Sequence, residues 1–184
     1  STSTRLMIRE WKNAFPEAIA IINGVYFMED LTPSGVFVGE GTKQTQRQFD
    51  ADKSALVFIK ENTLTISDTS KNHIDAANIK EGAQTYPILI KDGKELLTRD
   101  TGKEARRSWI GLDQTGRVWL GVLPNREASL FELMKRLMEL DIKWKMVANL
   151  DGGPSTGIVV AGGTGDIVKE TIGGVPNILF VERK

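Results

Sequence analysis

One carboxylate, one carboxamide and two hydroxyls lie among three glycines in Asn149-Leu150-Asp151-Gly152-Gly153-Pro154-Ser155-Thr156-Gly157. An apolar run, Trp144 to Ala148, precedes this stretch and a second, Ile158 to Ala161, follows it. The pattern predicts a buried strand entering a Gly-rich turn and another strand leaving it. A carboxylate at that position is a candidate acid, base or ligand, because partial desolvation raises its pKa while neighbouring N–H donors lower it. Gly152 and Gly153 let backbone amides converge on an anion, and Ser155 and Thr156 add hydroxyls. The same residues also suit an ordinary tight turn in which Asp151 bonds its own backbone.

Two further places carry comparable chemistry. Arg106-Arg107 precedes the apolar run Ser108 to Leu112. A guanidinium at a strand end can clamp a phosphodiester through two parallel N–H bonds, or pair with Glu104 or Asp100 in a solvated loop. Asn23-Gly24 closes the apolar run Ala18 to Ile22, as a turn or as a second polar corner of a site. His73 sits in a polar stretch and reads as solvent-exposed, and Asp113-Gln114-Thr115-Gly116 reads as a hairpin turn with no chemistry. Asp166 reads as a turn residue, and Asp50 with Asp52 lacks the ligand spacing of a calcium loop.

Composition narrows the classes. The 184 residues carry 24 Lys plus Arg against 24 Asp plus Glu, a balance that argues against a nucleic-acid surface or a polybasic membrane face. With no cysteine and one histidine, thiolate chemistry, disulfides, Cys/His zinc sites and His-pair mechanisms are excluded. No run reaches the roughly 18 apolar residues of a membrane span. The chain begins at Ser1 without Met, which is compatible with a removed leader or upstream segment.

The elements that position these residues follow from period and punctuation. Leu6, Met7 and Trp11 fit a short helix ended by Pro16. Ala18 to Ile22 is a buried strand, with Val25-Tyr26-Phe27 continuing it beyond Asn23-Gly24, and Val36 to Val38 is a short strand after a turn at 32–35. Residues 40–53 are a polar connection with a ragged strand, and Ile74 to Ile79 is a short strand or turn. Hairpins are expected at 55–67 around Glu61-Asn62, at 86–97 around Asp92-Gly93, and at 108–123 around the turn at 113–116, with Pro124 ending the last. Residues 98–107 read as a charged loop. Ser129 to Leu140 is a helix, with a Ser129/Glu132 capping box and an apolar stripe of Leu130, Leu133, Met134, Leu137, Met138 and Leu140. Ile158 to Ala161, Ile167 to Ile172 and Asn177 to Val181 complete the strands. The expected fold is α+β: a single domain over 1–184 with a mixed, mainly antiparallel sheet and one or two covering helices.

In this order the motifs resemble a known family. Ile22-Asn23-Gly24-Val25-Tyr26-Phe27 is similar to its I-N-G-G-[FY]-F, and Pro33-Ser34-Gly35 to its next signature. Arg107-Ser108-Trp109-Ile110-Gly111 with Gly116-Arg117-Val118 resembles R-T-x-I-G…G-R. Asn149 to Thr156 resembles N-L-D-G-G-G-S-[ST], and Val175-Pro176-Asn177 resembles V-P-[NT]. The family is the phosphodiester glycosidases, and the resemblance spans about Ile19 to Val181. It implies hydrolysis of a sugar-1-phosphodiester, releasing a sugar such as N-acetylglucosamine, by a secreted or cell-envelope protein of bacterial type with no cofactor or metal. The site residues it implies are Asp151, Arg107 and Asn23 as catalytic, with Gly24, Asn149, Gly152, Gly153, Ser155 and Thr156 binding substrate.

The chain departs from the pattern where Val25 and Pro154 replace glycines, and where 124–128 replaces a longer loop with an Asp-Gly-Arg start, leaving Arg126 as the nearby arginine. Those departures motivate the alternative of a catalytically altered glycan- or phosphosugar-binding domain. Paired-carboxylate chemistry calls for a second acid. Glu29, Asp30 and Glu40 are the candidates.

Overall fold

The computed structural model describes residues 4–39, 49–70, 74 and 79–182. His73, Glu40 and most of the expected ragged strand at 40–53 and of the 74–79 element lie outside the described residues. In chain order the elements are α1 (Ile8–Ala14), β1 (Ala18–Asn23), β2 (Phe37–Val38), β3 (Ala55–Lys60), β4 (Thr63–Asp68), β5 (Gly82–Thr85), β6 (Ile88–Lys91), β7 (Lys94–Glu95), β8 (Ala105–Asp113), β9 (Val118–Ala128), α2 (Leu130–Met138), β10 (Trp144–Asn149), β11 (Ile158–Val160), β12 (Ile167–Lys169) and β13 (Ile178–Glu182). A 3-10 turn, Gly153–Ser155, lies between β10 and β11. The class is α+β, as the sequence predicts.

The strands form three sheets with the orders β12-β11-β1-β13, β7-β6-β10-β8-β9 and β2-β5-β3-β4. Each described pairing is antiparallel. The strands with the most continuous apolar runs take the inner places: β1, β10 and β3 each have a neighbour on both sides. Burial on both faces is what such runs require.

One core joins the sheets. Ile22 from β1, Val57 and Ala83 from the third sheet, and Ile110, Ala148 and Met146 from the second pack together, with Val25 and Leu150 closing the gap beside the loop. On the far face of the second sheet, Leu133, Met134 and Leu137 of α2 pack on Leu89, Trp109 and Trp144. Burying each such side chain contributes about 1.5–3 kcal/mol. The capping box forms, with Glu132 N donating to Ser129 Oγ at 3.1 Å and Ser129 N to Glu132 Oε2 at 3.0 Å. The helix ends at Met138, so Leu140 falls outside the buried stripe and is exposed. Helix α1 packs Ile8 and Trp11 against Ile21 and Val159.

Three expectations are corrected. Val25 to Phe27 does not continue as a strand. The Asn177 side chain takes the place of a strand neighbour, accepting from Val25 N at 2.7 Å and donating to Val25 O at 3.2 Å, and a single bridge links Phe27 to Pro33. Pro124 does not end β9. It lies on the outermost strand, where the register slips between Arg107↔Leu123 and Ala105↔Ala128, so no ladder N–H is required of it. For the same reason 124–128 is strand rather than loop, and Arg106 and Arg107 belong to β8 rather than to the charged loop.

Candidate active site

The site forms where β1 of the first sheet meets β8 and the end of β10 of the second. β1 delivers Asn23, β8 delivers Arg107 and Ser108, and β10 delivers Asn149 and then Asp151. Asn23 is fully buried and its amide is the bracket of the junction. Its Nδ2 donates to Asp151 O at 2.7 Å, and its Oδ1 accepts from Ser108 Oγ at 2.6 Å and Gly157 N at 3.1 Å. Gly24 completes the bracket: its carbonyl accepts from Asp151 N at 3.2 Å and its amide donates to Asn177 O at 3.0 Å. A Cβ on Gly24 would collide with Asn177 Oδ1. Gly152 passes close to β8, where an added Cβ would stand 2.7 Å from Arg106 O.

The loop amides are committed within the protein. Gly152 N donates to Asp151 Oδ1 at 2.9 Å, Ser155 N to Gly152 O at 3.2 Å, Thr156 N to Gly153 O at 3.2 Å, and Gly157 N to Asn23. Pro154 has no N–H, so among the described residues Gly153 offers the one loop amide without a protein acceptor. The expected nest of converging amides is therefore a self-bonded turn, with Gly153 at φ 59° supplying the left-handed step.

The Asp151 carboxyl is held above the usual carboxylate range by burial, which outweighs its bonds from Ser155 and the Gly152 amide and the field of Arg5. Tyr26 stands near it. Burial, then the Asp151 and Tyr86 charges, push the Tyr26 hydroxyl well above the ordinary tyrosine value, and it keeps its proton at neutral pH. Asn149 Nδ2 bonds Tyr26 Oη at 2.7 Å and Tyr86 O at 3.0 Å, and the two tyrosine rings lie 4.7 Å apart. Because the Tyr86 carbonyl can only accept, the Asn149 amide orientation is fixed.

Arg107 is 9% exposed. Its Nε donates to Ala128 O at 2.8 Å and one Nη to Lys103 O at 2.6 Å. Burial pulls its pKa below the usual arginine value, with the Tyr26 hydroxyl group opposing. No carboxylate among the described residues pairs with it. Arg106 instead braces the loop, donating to Thr156 O at 2.8 Å and Glu170 O at 3.0 Å.

Three buried side-chain atoms among the described residues have no protein partner: Arg106 Nε, Asn149 Oδ1 and Thr156 Oγ1. All three belong to this junction. Leaving such a group unbonded costs about 1–3 kcal/mol, a cost expected at a place that meets polar ligand or solvent.

The structure thus brings Asn23, Gly24, Arg107, Asn149, Asp151, Gly152, Gly153, Ser155 and Thr156 together around one junction. It does not bring Glu29 or Asp30 there. Both are exposed, and Asp30 bonds Thr32 N at 3.0 Å and Thr32 Oγ1 at 2.6 Å in its own loop. Arg126 is exposed on β9. Val25 is buried without positive φ, so its departure from glycine leaves the backbone unstrained. Sequence reasoning missed Tyr26, Arg5 and the bracketing role of Asn177. Tyr26 and Asn177 stood inside quoted motifs, whereas nothing in the sequence marked Arg5. A depression of about 330 Å³ lined by Met28, Thr32, Ser34 and Phe49 shares no lining residue with the loop, so convergent polar groups rather than a cavity define the site. Among the described residues no cluster of acids or histidines is suited to a metal.

The comparisons agree with this architecture. No curated protein is similar enough in sequence to match. Among solved structures, the catalytic domain of zebrafish N-acetylglucosamine-1-phosphodiester alpha-N-acetylglucosaminidase, auto-inhibited by its pro-peptide, superposes with a TM-score of 0.67 at 18% identity. The match covers 86% of this chain and 58% of that one. A hypothetical protein from Synechocystis superposes with a TM-score of 0.59 at 13% identity, covering 97% and 53%. At these identities the likeness is one of fold, and the chain spans a little over half of each structure's length. The family model described as phosphodiester glycosidase matches residues 16–182. A match over that much of the sequence, including the Asn23, Arg107 and Asp151 positions, shows that the chain belongs to the phosphodiester glycosidase family.

Proposed function

We propose that this protein hydrolyses a sugar-1-phosphodiester, with N-acetylglucosamine as the first sugar to test. The bond from the anomeric carbon to the phosphate oxygen breaks, water supplies the new anomeric hydroxyl, and the alcohol leaves with its phosphate. The observation that carries this reading is Asp151, a half-buried carboxyl whose pKa is raised, in the field of Arg5 and near Tyr26, itself in the field of Arg107, two cations with no carboxylate partner among the described residues. A raised pKa suits a group that must take up or give a proton near neutrality. Arg107 is the fixed cation behind the reacting phosphate, and Tyr26 Oη is a proton-retaining donor in the same place. A phosphate leaving group needs charge stabilisation more than protonation, which accounts for a site with one carboxylate among the described residues where glycosidases usually have two. Asn23 and Gly24 hold the loop, and Asn149, Ser155 and Thr156 present polar groups to substrate. A secreted or cell-envelope location belongs to this reading and rests on the family resemblance.

The test is release of sugar from a panel of sugar-1-phosphodiesters by wild type and Asp151→Asn. Turnover by wild type that falls by about 10³-fold or more in the variant supports it. Full turnover in the variant refutes the role of Asp151. The second reading, a phosphosugar-binding domain without turnover, draws on the self-bonded loop amides and Pro154. Calorimetry that shows binding of sugar 1-phosphate beside an absence of release would establish it.

A further inference from the structure

The matched family stretch begins at residue 16, yet a charged side chain from before it reaches the site. Leu6 and Val175 form an antiparallel bridge, with Leu6 N to Val175 O at 3.1 Å and Val175 N to Leu6 O at 2.8 Å. Trp11 Nε1 donates to the same Val175 carbonyl at 3.0 Å, so α1 pins the bridge from behind. The segment then crosses the Gly173-Gly174 turn at close range. A Cβ on Gly174, whose φ is 68°, would stand 3.0 Å from Leu6 O and 3.2 Å from Arg5 C. That turn is latched to the Asp151 loop, because Ile172 N donates to Pro154 O at 2.8 Å.

Arg5 is the next residue outward. Its guanidinium lies over the Phe27 ring, 5.1 Å from the centroid, and Phe27 directly follows Tyr26. Arg5 is exposed and forms no ion pair among the described residues, while its field opposes the burial of Asp151. Arg107 and Arg106, the arginines that sequence reasoning favoured, direct N–H groups to main-chain carbonyls. Arg5 has no such commitment.

We propose that Arg5 is a substrate-binding residue that takes the non-bridging oxygens of the substrate phosphate at the mouth of the site. A guanidinium offers a planar fork that matches two phosphate oxygens. Stacking on Phe27 orients that fork without consuming its donors. A diester carries one negative charge and the departing monoester up to two, so the interaction strengthens as the bond breaks. This proposal rests on the phosphodiester reading of the same site.

Arg5→Ala and Arg5→Lys test it, since an exposed side chain is removed without disturbing the core. Calorimetry with a sugar 1-phosphate and with the free sugar is run beside kcat/KM on the best diester and its dependence on salt. Arg5→Ala is expected to weaken sugar 1-phosphate binding and to lower kcat/KM by about tenfold or more, the scale of a lost charge-assisted pair. Affinity for the free sugar stays within about twofold, the salt dependence flattens, and Arg5→Lys recovers part of the loss. Unchanged phosphate binding and kcat/KM in Arg5→Ala, with an active wild type, overturns Arg5 alone. An equal loss for phosphate and free sugar, or a gain of turnover, also overturns it. A wild type that neither binds sugar 1-phosphate nor cleaves any diester removes the proposed function and this proposal together.

Discussion

Two aspartates stand at opposite ends of the same β8–β10 ladder, and they have opposite fates. Asp113 pairs with Trp144 at one end, and Asp151 lies just beyond the Asn149–Trp109 pair at the other. Each follows an apolar run and precedes a turn with glycine. The Asp113 carboxylate is filled by donors: Thr115 N at 2.9 Å, Thr115 Oγ1 at 2.6 Å, Arg117 N at 3.0 Å, Arg117 Nε at 2.7 Å and Trp119 Nε1 at 3.1 Å. Those bonds, Thr115 foremost, hold it well below the usual carboxylate range. Asp151 is half-buried with its own loop as its chief donor, and desolvation moves its pKa the other way. A carboxylate that folding has saturated locks a turn. One that folding has desolvated without saturating is available to a ligand or a proton.

The largest expected effect separates the two by function. If the proposed activity is present, Asp151→Asn lowers turnover by about 10³-fold or more and leaves the thermal midpoint at neutral pH unchanged or higher, because it removes a charge whose desolvation outweighs its hydrogen bonds. Asp113→Asn does the reverse: turnover stays within about twofold, while the midpoint falls by roughly 5 °C or more as the turn loses its anchor. Kinetics and thermal unfolding on the same two preparations check both. A loss of turnover in Asp113→Asn without a loss of stability would break the comparison.

Tyr26→Phe comes next. It removes the phenolic hydroxyl near Asp151, while Asn149 retains its bond to Tyr86 O. Turnover is expected to fall about tenfold, with stability changed by about 1 kcal/mol or less. Steady-state rates and urea unfolding read the two quantities.

The smallest effect is the sign of the pH dependence. Asp113 titrates below its ordinary 3.8 in the fold, so its stabilisation is present above that value and is lost as pH falls toward the folded pKa. Asp151 titrates above 3.8 in the fold, so its charge costs stability at neutral pH and the cost is relieved as pH falls through the raised value. Unfolding measured from pH 7 to pH 3 should therefore show the stability advantage of Asp151→Asn over wild type shrinking as pH drops. The disadvantage of Asp113→Asn should persist until below pH 3.8. Parallel curves for the two variants would contradict the difference in environment.

Much of the fold is written in local chemistry. The Glu61-Asn62 and Asp92-Gly93 turns take positive φ at Glu61, Asn62, Asp92 and Gly93, and the Ser129/Glu132 box starts α2 where the pattern puts it. Turns and caps depend on near neighbours, so short windows of sequence reveal them. The Pro124 stop and the Val25 strand were misread because each depends on a distant partner: the outermost place of β9 in its sheet, and the Asn177 side chain reaching Val25.

The sequence by itself determined that the chain lacks thiol and paired-histidine chemistry, that Asn23-Gly24, Arg107 and the 149–157 loop stand at strand ends, and that the class is α+β. Residue type and period suffice for these. Only the tertiary structure decided which aspartate is saturated and which is desolvated, that the loop amides bond one another, and that Tyr26 and Arg5 stand beside Asp151. Burial and hydrogen-bond satisfaction are properties of what packs against a group, and the surroundings of Asp151 come from residues 5, 23 and 26 as much as from its own loop.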